Sequence, residues 1–102
     1  MIERDIQKQV MDMLEQCGIF AIRLNSGKVP VRGGYMTLCP IGTGDIIVFP
    51  PMSTPVWLEI KQLKGIQQQE QVKFQAKTAD YGHDYYIVRS LDDIKPFINE
   101  WR

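Results

Sequence analysis

The chain has 102 residues, 44% of them hydrophobic, with 12 basic and 12 acidic side chains and no formal net charge. That length and apolar content suit one compact domain over residues 1–102 and leave no room for a second. The even charge excludes attachment to nucleic acid through overall charge alone, so any such contact must use a local patch. Cys17 and Cys39 are isolated and His83 is the single histidine, which excludes a zinc-ligand pattern and predicts two free thiols in a reducing compartment. The first residues are charged and no apolar run approaches about 18 residues, so a cytoplasmic protein without a membrane span is expected.

In chain order, residues 3–16 predict a helix, with Ile6, Val10, Met13, Leu14 and Cys17 on one stripe and Gly18 as its stop. Extending the stripe back one turn reaches Glu3, whose carboxylate falls in line with the apolar face and over the edge of whatever that face covers. Glu3 also fits a simpler role, complementing the helix dipole. Glu15 lies off the stripe and is expected in solvent. Ile19 to Leu24 predicts a strand, broken by Asn25-Ser26-Gly27. The segment from Lys28 to Gly34 carries Lys28, Arg32 and paired glycines and predicts a loop or hairpin tip suited to phosphate contact, or an ordinary solvated loop. Tyr35 to Cys39 predicts a short strand leading through Pro40 into Gly42-Thr43-Gly44-Asp45.

Two short apolar strands follow, Ile46 onward and Val56 to Lys61, joined by a proline-rich turn from Pro50 to Pro55 that is too short for a crossover helix. They predict an antiparallel hairpin centred near Met52, with Ile47 opposite Trp57 and Asp45 opposite Glu59. Strand alternation sets Val56, Leu58 and Ile60 on one face and Trp57, Glu59 and Lys61 on the other. Directly opposed residues hold their Cβ atoms about 4.5–5.5 Å apart. Two carboxylates and an ammonium then share one patch.

Beyond Lys61, the run Gln67-Gln-Gln-Glu-Gln71 opens a helix reaching about Tyr81, with Val72, Ala76 and Ala79 as its apolar stripe and Phe74 and Gly82 closing the packing and the end. Asp84 to Val88 predicts a strand that lies parallel to an earlier one, because a helix precedes it. Ser90 is expected to cap a last helix with Asp93 in its first turn, ending at Trp101. Basic residues outnumber acidic ones from Arg23 to Lys77, and Asp80, Asp84, Asp92, Asp93 and Glu100 make the tail acidic. The element order predicts an α/β domain with a mixed central sheet flanked by helices.

The patch of Asp45, Glu59 and Lys61 carries the chemistry. Neighbouring carboxylates repel, a strain relieved by a divalent cation held through oxygen. Such a cation beside a lysine suits attack of water on a phosphodiester. A Glu-x-Lys tripeptide alone also fits any solvated strand face, and an aspartate after glycine also fits a turn; the pair at hairpin spacing on apolar strands points to a site.

The pattern Gly42-x-x-Asp45, a hairpin, then Glu59-x-Lys61 resembles the PD-(D/E)XK nuclease superfamily and, within it, the VRR-NUC branch. Gly44 stands where the superfamily often has proline. The likeness runs from Glu3 to Ser90-Leu91-Asp92-Asp93 and takes in Arg23-Leu-Asn-Ser-Gly27, Lys64-Gly65 and Gln71. It implies a restriction-endonuclease-like core and a metal-dependent endonuclease. Glu3, Asp45, Glu59 and the Ile60 carbonyl would hold Mg²⁺ or Mn²⁺, Lys61 would orient the attacking water, and Gln71 would support the site. Lys28, Arg32, Lys64 and Lys73 are the candidate phosphate contacts. Stand-alone members of this size resemble phage-type enzymes that cut branched DNA such as Holliday junctions as homodimers, and symmetric incision needs two copies of one site. The alternatives are a nuclease of the same fold acting on flaps or duplex DNA, a DNA-binding module that does not cleave, and a structural or partner-binding domain in which Glu59-x-Lys61 is accidental. Asn25, Ser26 and His83 receive no role.

Overall fold

The computed structural model describes every residue except 1, 26, 27 and 41, and every remaining side chain except those of residues 28 and 37. The expectations attached to Ser26 and to the Lys28 side chain therefore lie outside the described residues. The first helix, α1 (Glu3–Gln16), has the expected limits and buries Ile6, Val10 and Leu14, with Met13 and Cys17 half-buried beside them. It ends where Gly18 adopts a left-handed φ of 72°, which lets the Gly18 and Ile19 amides reach back to the Glu15 and Leu14 carbonyls.

The central sheet has four strands in the order β1 (Ala21–Arg23), β4 (Ile46–Val48), β5 (Val56–Ile60), β6 (Asp84–Val88). Both pairs β1/β4 and β4/β5 are antiparallel and β5/β6 is parallel, so the sheet is mixed. The hairpin has the expected register, Ile46 opposite Leu58 and Ile47 opposite Trp57. The parallel pair is bridged by α2 (Gln69–Asp80), as a crossover requires. A separate two-stranded ribbon, β2 (Lys28–Val31) and β3 (Gly34–Thr37), leaves the sheet after β1. The segment expected as a loop or hairpin tip is thus one arm of a ribbon, with Arg32 and Gly33 at its turn.

The two faces of the sheet are covered differently. Ile46, Val48, Val56, Leu58, Ile60 and Val88 meet the α1 stripe and Trp101 in one buried apolar cluster. Burying a side chain of Leu58's size contributes about 1.5–3 kcal/mol. Tyr86, opposite Leu58 on β6, stacks on Phe97 at 4.7 Å, and Phe97 on Trp101 at 5.2 Å. On the other face α2 sets Phe74 against Trp57 at 5.0 Å and Tyr85 at 6.1 Å.

Two helical expectations are corrected. Val72, Ala76 and Ala79, read as the buried stripe of α2, are exposed, and the helix turns Gln71, Phe74, Gln75 and Thr78 inward. The sheet face beneath carries Glu59 and Tyr85, so the side chains covering it must offer hydrogen bonds as well as a ring. The last helix is also broken. Leu91–Asp93 and Lys95–Phe97 form 3₁₀ turns and only Ile98–Trp101 is α-helical, here α3. Pro96 lacks an amide and disfavours helical backbone at Lys95. Ser90 makes no capping bond; instead Asp93 Oδ2 accepts the Arg89 amide at 2.7 Å. Among the described residues no helix is long and apolar enough to cross a membrane.

Candidate functional site

The approach to Asp45 is fixed by two glycines. Gly42 has a φ of 93°, and a Cβ there would stand 2.5 Å from the Glu70 carbonyl oxygen, so only glycine lets this loop press on the first turn of α2. A Cβ on Gly44 would lie 3.3 Å from the Leu58 carbonyl oxygen. The Asp45 amide then donates to that carbonyl at 2.8 Å, and the Asp45 carbonyl accepts the Leu24 amide at 2.8 Å. The backbone ladder continues past the end of β4, which carries the hairpin register on to set Asp45 opposite Glu59.

The Asp45 carboxylate extends the ladder once more, Oδ2 accepting the Ile60 amide at 2.7 Å. Burial holds its carboxyl above the usual carboxylate range; the Ile60 amide opposes this, the charges of Glu59 and Glu3 add to it, and the Lys61 ammonium draws it back. The amide and carbonyl of a strand residue point to the same side, so the Ile60 carbonyl also faces the Asp45 edge of β5.

Glu59 is 1% exposed. Its Oε1 accepts from Gln67 Nε2 at 3.1 Å and from the Tyr85 hydroxyl, while its buried Oε2 has no partner among the described residues. Gln67 Nε2 also donates to Gln75 Oε1 at 3.0 Å, which fixes the amide from behind. Burial, and then the bond to Glu59, push the Tyr85 phenol well above its ordinary range, so it remains a proton donor. Lys61 is 6% exposed and its amide donates to the Val88 carbonyl at 3.0 Å. Among the described residues its ammonium enters no ion pair. The loop beyond it is clamped by Arg89, whose Nη1 donates to the carbonyls of Gln62, Leu63 and Gly65.

Asp45, Glu59, Ile60 and Lys61 are thus brought together where the two central strands meet, at the start of β4 and the end of β5. Glu3 is half-buried at the start of α1 and its charge is felt at Asp45. Among the described residues, however, no three acidic, histidine or cysteine side chains form a ready-made metal cluster. The oxygens that could hold a cation are those of Asp45, Glu59 and the Ile60 carbonyl, with the charge of Glu3 acting on Asp45. Oxygen donors with one buried, unpartnered carboxylate oxygen fit a hard divalent cation.

Gln71 is engaged at the start of α2. Its Oε1 accepts the Gln68 amide at 2.8 Å, completing a capping box at the start of α2. The glutamine that reaches Glu59 is Gln67, and sequence reasoning also missed Tyr85. Nothing in the glutamine run separates Gln67 from its neighbours, and Tyr85 follows only from the register of β6 on β5. His83 accepts the Trp57 indole N–H at Nδ1, 3.4 Å away, and so belongs to the packing beneath α2. Arg32, Lys64 and Lys73 are all exposed. Lys64 lines an open cleft with Ile6 and Gln9 of α1, and Lys73 pairs with Glu70 at 3.5 Å.

No family model matches the chain, and no curated protein matches it. A solved structure described as "VRR_NUC domain" superposes with a TM-score of 0.68 at 17% identity, over 98% of this chain and 97% of that one. At that identity the likeness concerns the path of the chain. With its mixed sheet, its hairpin leading into a parallel crossover and its flanking helices, the protein shares the α/β fold of that VRR_NUC domain.

Proposed function

We propose that the chain is a metal-dependent, structure-specific endonuclease that hydrolyses phosphodiester bonds in branched DNA such as four-way junctions, acting as a homodimer. The observation that carries this reading is the buried, unpartnered Oε2 of Glu59 beside a carboxyl of Asp45 held above its ordinary range. A fold that buries a carboxylate without a partner gives up stability, and a cation at that oxygen supplies what is missing.

Asp45, Glu59 and the Ile60 carbonyl would hold Mg²⁺ or Mn²⁺, with the Glu3 charge adding to the attraction from α1. When bound, the ion polarises a phosphoryl oxygen and acidifies water. The chain's own groups do the rest. Asp45 and Glu59 fix the geometry through Oδ2 and Oε1, which are tied to the Ile60 amide and to Gln67 and Tyr85. Lys61 aims its ammonium at the reacting phosphate, orients the attacking water and steadies the charge that develops. Gln71 supports the site indirectly, by capping the helix that covers it. Arg32, Lys64 and Lys73, with Lys28, contact phosphates along the flanking strands.

The test incubates labelled four-way junction, flap and linear duplex with the protein in Mg²⁺, Mn²⁺ or EDTA, beside Asp45→Ala and Lys61→Ala. Junction cutting that needs metal and Asp45 is expected. Lys61→Ala should lower cleavage by about 10²–10³-fold while leaving metal and DNA binding intact. Equal cutting of duplex and junction would remove the branch preference, and binding without cutting under any metal would make the chain a DNA-binding module. A strict monomer on DNA would remove paired incision.

A further inference from the structure

The polar network behind Glu59 is asymmetric. Among the described residues two donors, the Tyr85 hydroxyl and the Gln67 amide, converge on Oε1, and the buried Oε2 receives none. Gln67 is itself held by Gln75. Tyr85 is half-buried, with its ring in the cluster of Phe74 and Trp57, so its hydroxyl is delivered by a packed side chain and not by a loop. A carboxylate fastened by one oxygen cannot turn to present both. Glu59 therefore has one oxygen to give.

We infer that Tyr85 and Gln67 are positioning residues that restrict Glu59 to one-oxygen ligation and thereby set which divalent cation the site prefers. The inference rests on the metal-dependent reading above and extends it to selectivity. Mg²⁺ and Mn²⁺ suit octahedral oxygen sites in which a carboxylate gives a single oxygen; Ca²⁺ is larger, takes six to eight oxygens and readily accepts both from one carboxylate. Holding Oε1 away from the ion denies Ca²⁺ that second contact and costs the smaller ions nothing. Partners that orient a metal-ligating group typically change metal affinity by about 10–100-fold when removed.

The experiment is calorimetric titration of Mn²⁺, Mg²⁺ and Ca²⁺, each alone, into DNA-free protein, comparing wild type with Tyr85→Phe and Gln67→Met. Thermal unfolding of the metal-free proteins runs alongside. Tyr85→Phe keeps the ring and its packing and loses only the hydroxyl. Mn²⁺ and Mg²⁺ are expected to weaken by about 10-fold while Ca²⁺ holds or strengthens, so the preference for the small ions narrows by at least that factor. A purely structural hydroxyl would lower the unfolding temperature and shift all three ions alike. An unchanged ratio in Tyr85→Phe overturns the inference and leaves the metal site standing; if that variant does not fold, the same ratio in Gln67→Met decides. Wild-type protein that binds none of the three ions overturns the metal reading and this inference with it.

Discussion

The two faces of β5 are built from alternate residues of one short strand, yet they obey different rules. Val56, Leu58 and Ile60 turn toward α1 and are buried among aliphatic side chains with nothing to satisfy. Trp57, Glu59 and Lys61 belong to the opposite face; Glu59 and Lys61 are nearly as buried, and Glu59 is held by directed bonds from Gln67 and Tyr85. Burial is therefore not what separates core from site here. The α1 face gains free energy by being closed, whereas the α2 face holds a carboxylate that closure leaves short of one partner. The first face stabilises the strand firmly enough for the second to carry that cost.

The largest effect expected from this contrast comes from the apolar side. Leu58→Ala should destabilise the fold by about 2–5 kcal/mol in urea unfolding, since Leu58 is fully buried and the rigid sheet can close only partly around the void. A loss no greater than that of a surface substitution would show that the α1 face does not carry the strand.

On the polar side the sign should reverse. In the metal-free protein the folded state binds the Asp45 proton more tightly than the unfolded chain does. Charged Asp45 therefore costs stability above its folded pKa, and the cost fades as pH falls through that value. Asp45→Asn, which can still accept the Ile60 amide, should raise the unfolding temperature at neutral pH. That gain should shrink on acidification toward the ordinary carboxylate value of 3.8. A destabilised Asp45→Asn at neutral pH would mean that Asp45 is a structural ion like any other.

The smallest effect belongs to the ribbon outside both faces. Arg32→Ala should weaken DNA binding a few-fold and reduce the slope of log affinity against log salt by roughly 1, with no change in unfolding. An unaltered slope would remove the ribbon turn from the contact surface.

How much of this was legible depended on how local each determinant is. The α1 stripe and its glycine stop are written in adjacent turns of helix, and the β4–β5 register follows from a short turn between alternating apolar residues; both have the expected form. Asp45, Glu59 and Lys61 inherit their placement from that hairpin. The covering face of α2 was illegible because a helix laid over a polar sheet face has no reason to carry an aliphatic stripe, so the small residues Ala76 and Ala79 misled. The Tyr85 bond to Glu59 joins residues 26 apart through a parallel crossover, whose register no short-range pattern encodes. Pro96 was visible, and its break of the last helix follows from its missing amide.

The indole of Trp57 lies between the Phe74 ring and His83 Nδ1, two residues along β5 from Glu59, while the other tryptophan, Trp101, is buried among the side chains of the α1 face. Each face thus owns one tryptophan. With Trp101 replaced by phenylalanine, tryptophan emission would report the surroundings of Trp57 alone, a half-buried ring that keeps a polar tip. The strand thus carries its own optical reporter of the face on which Glu59 lies.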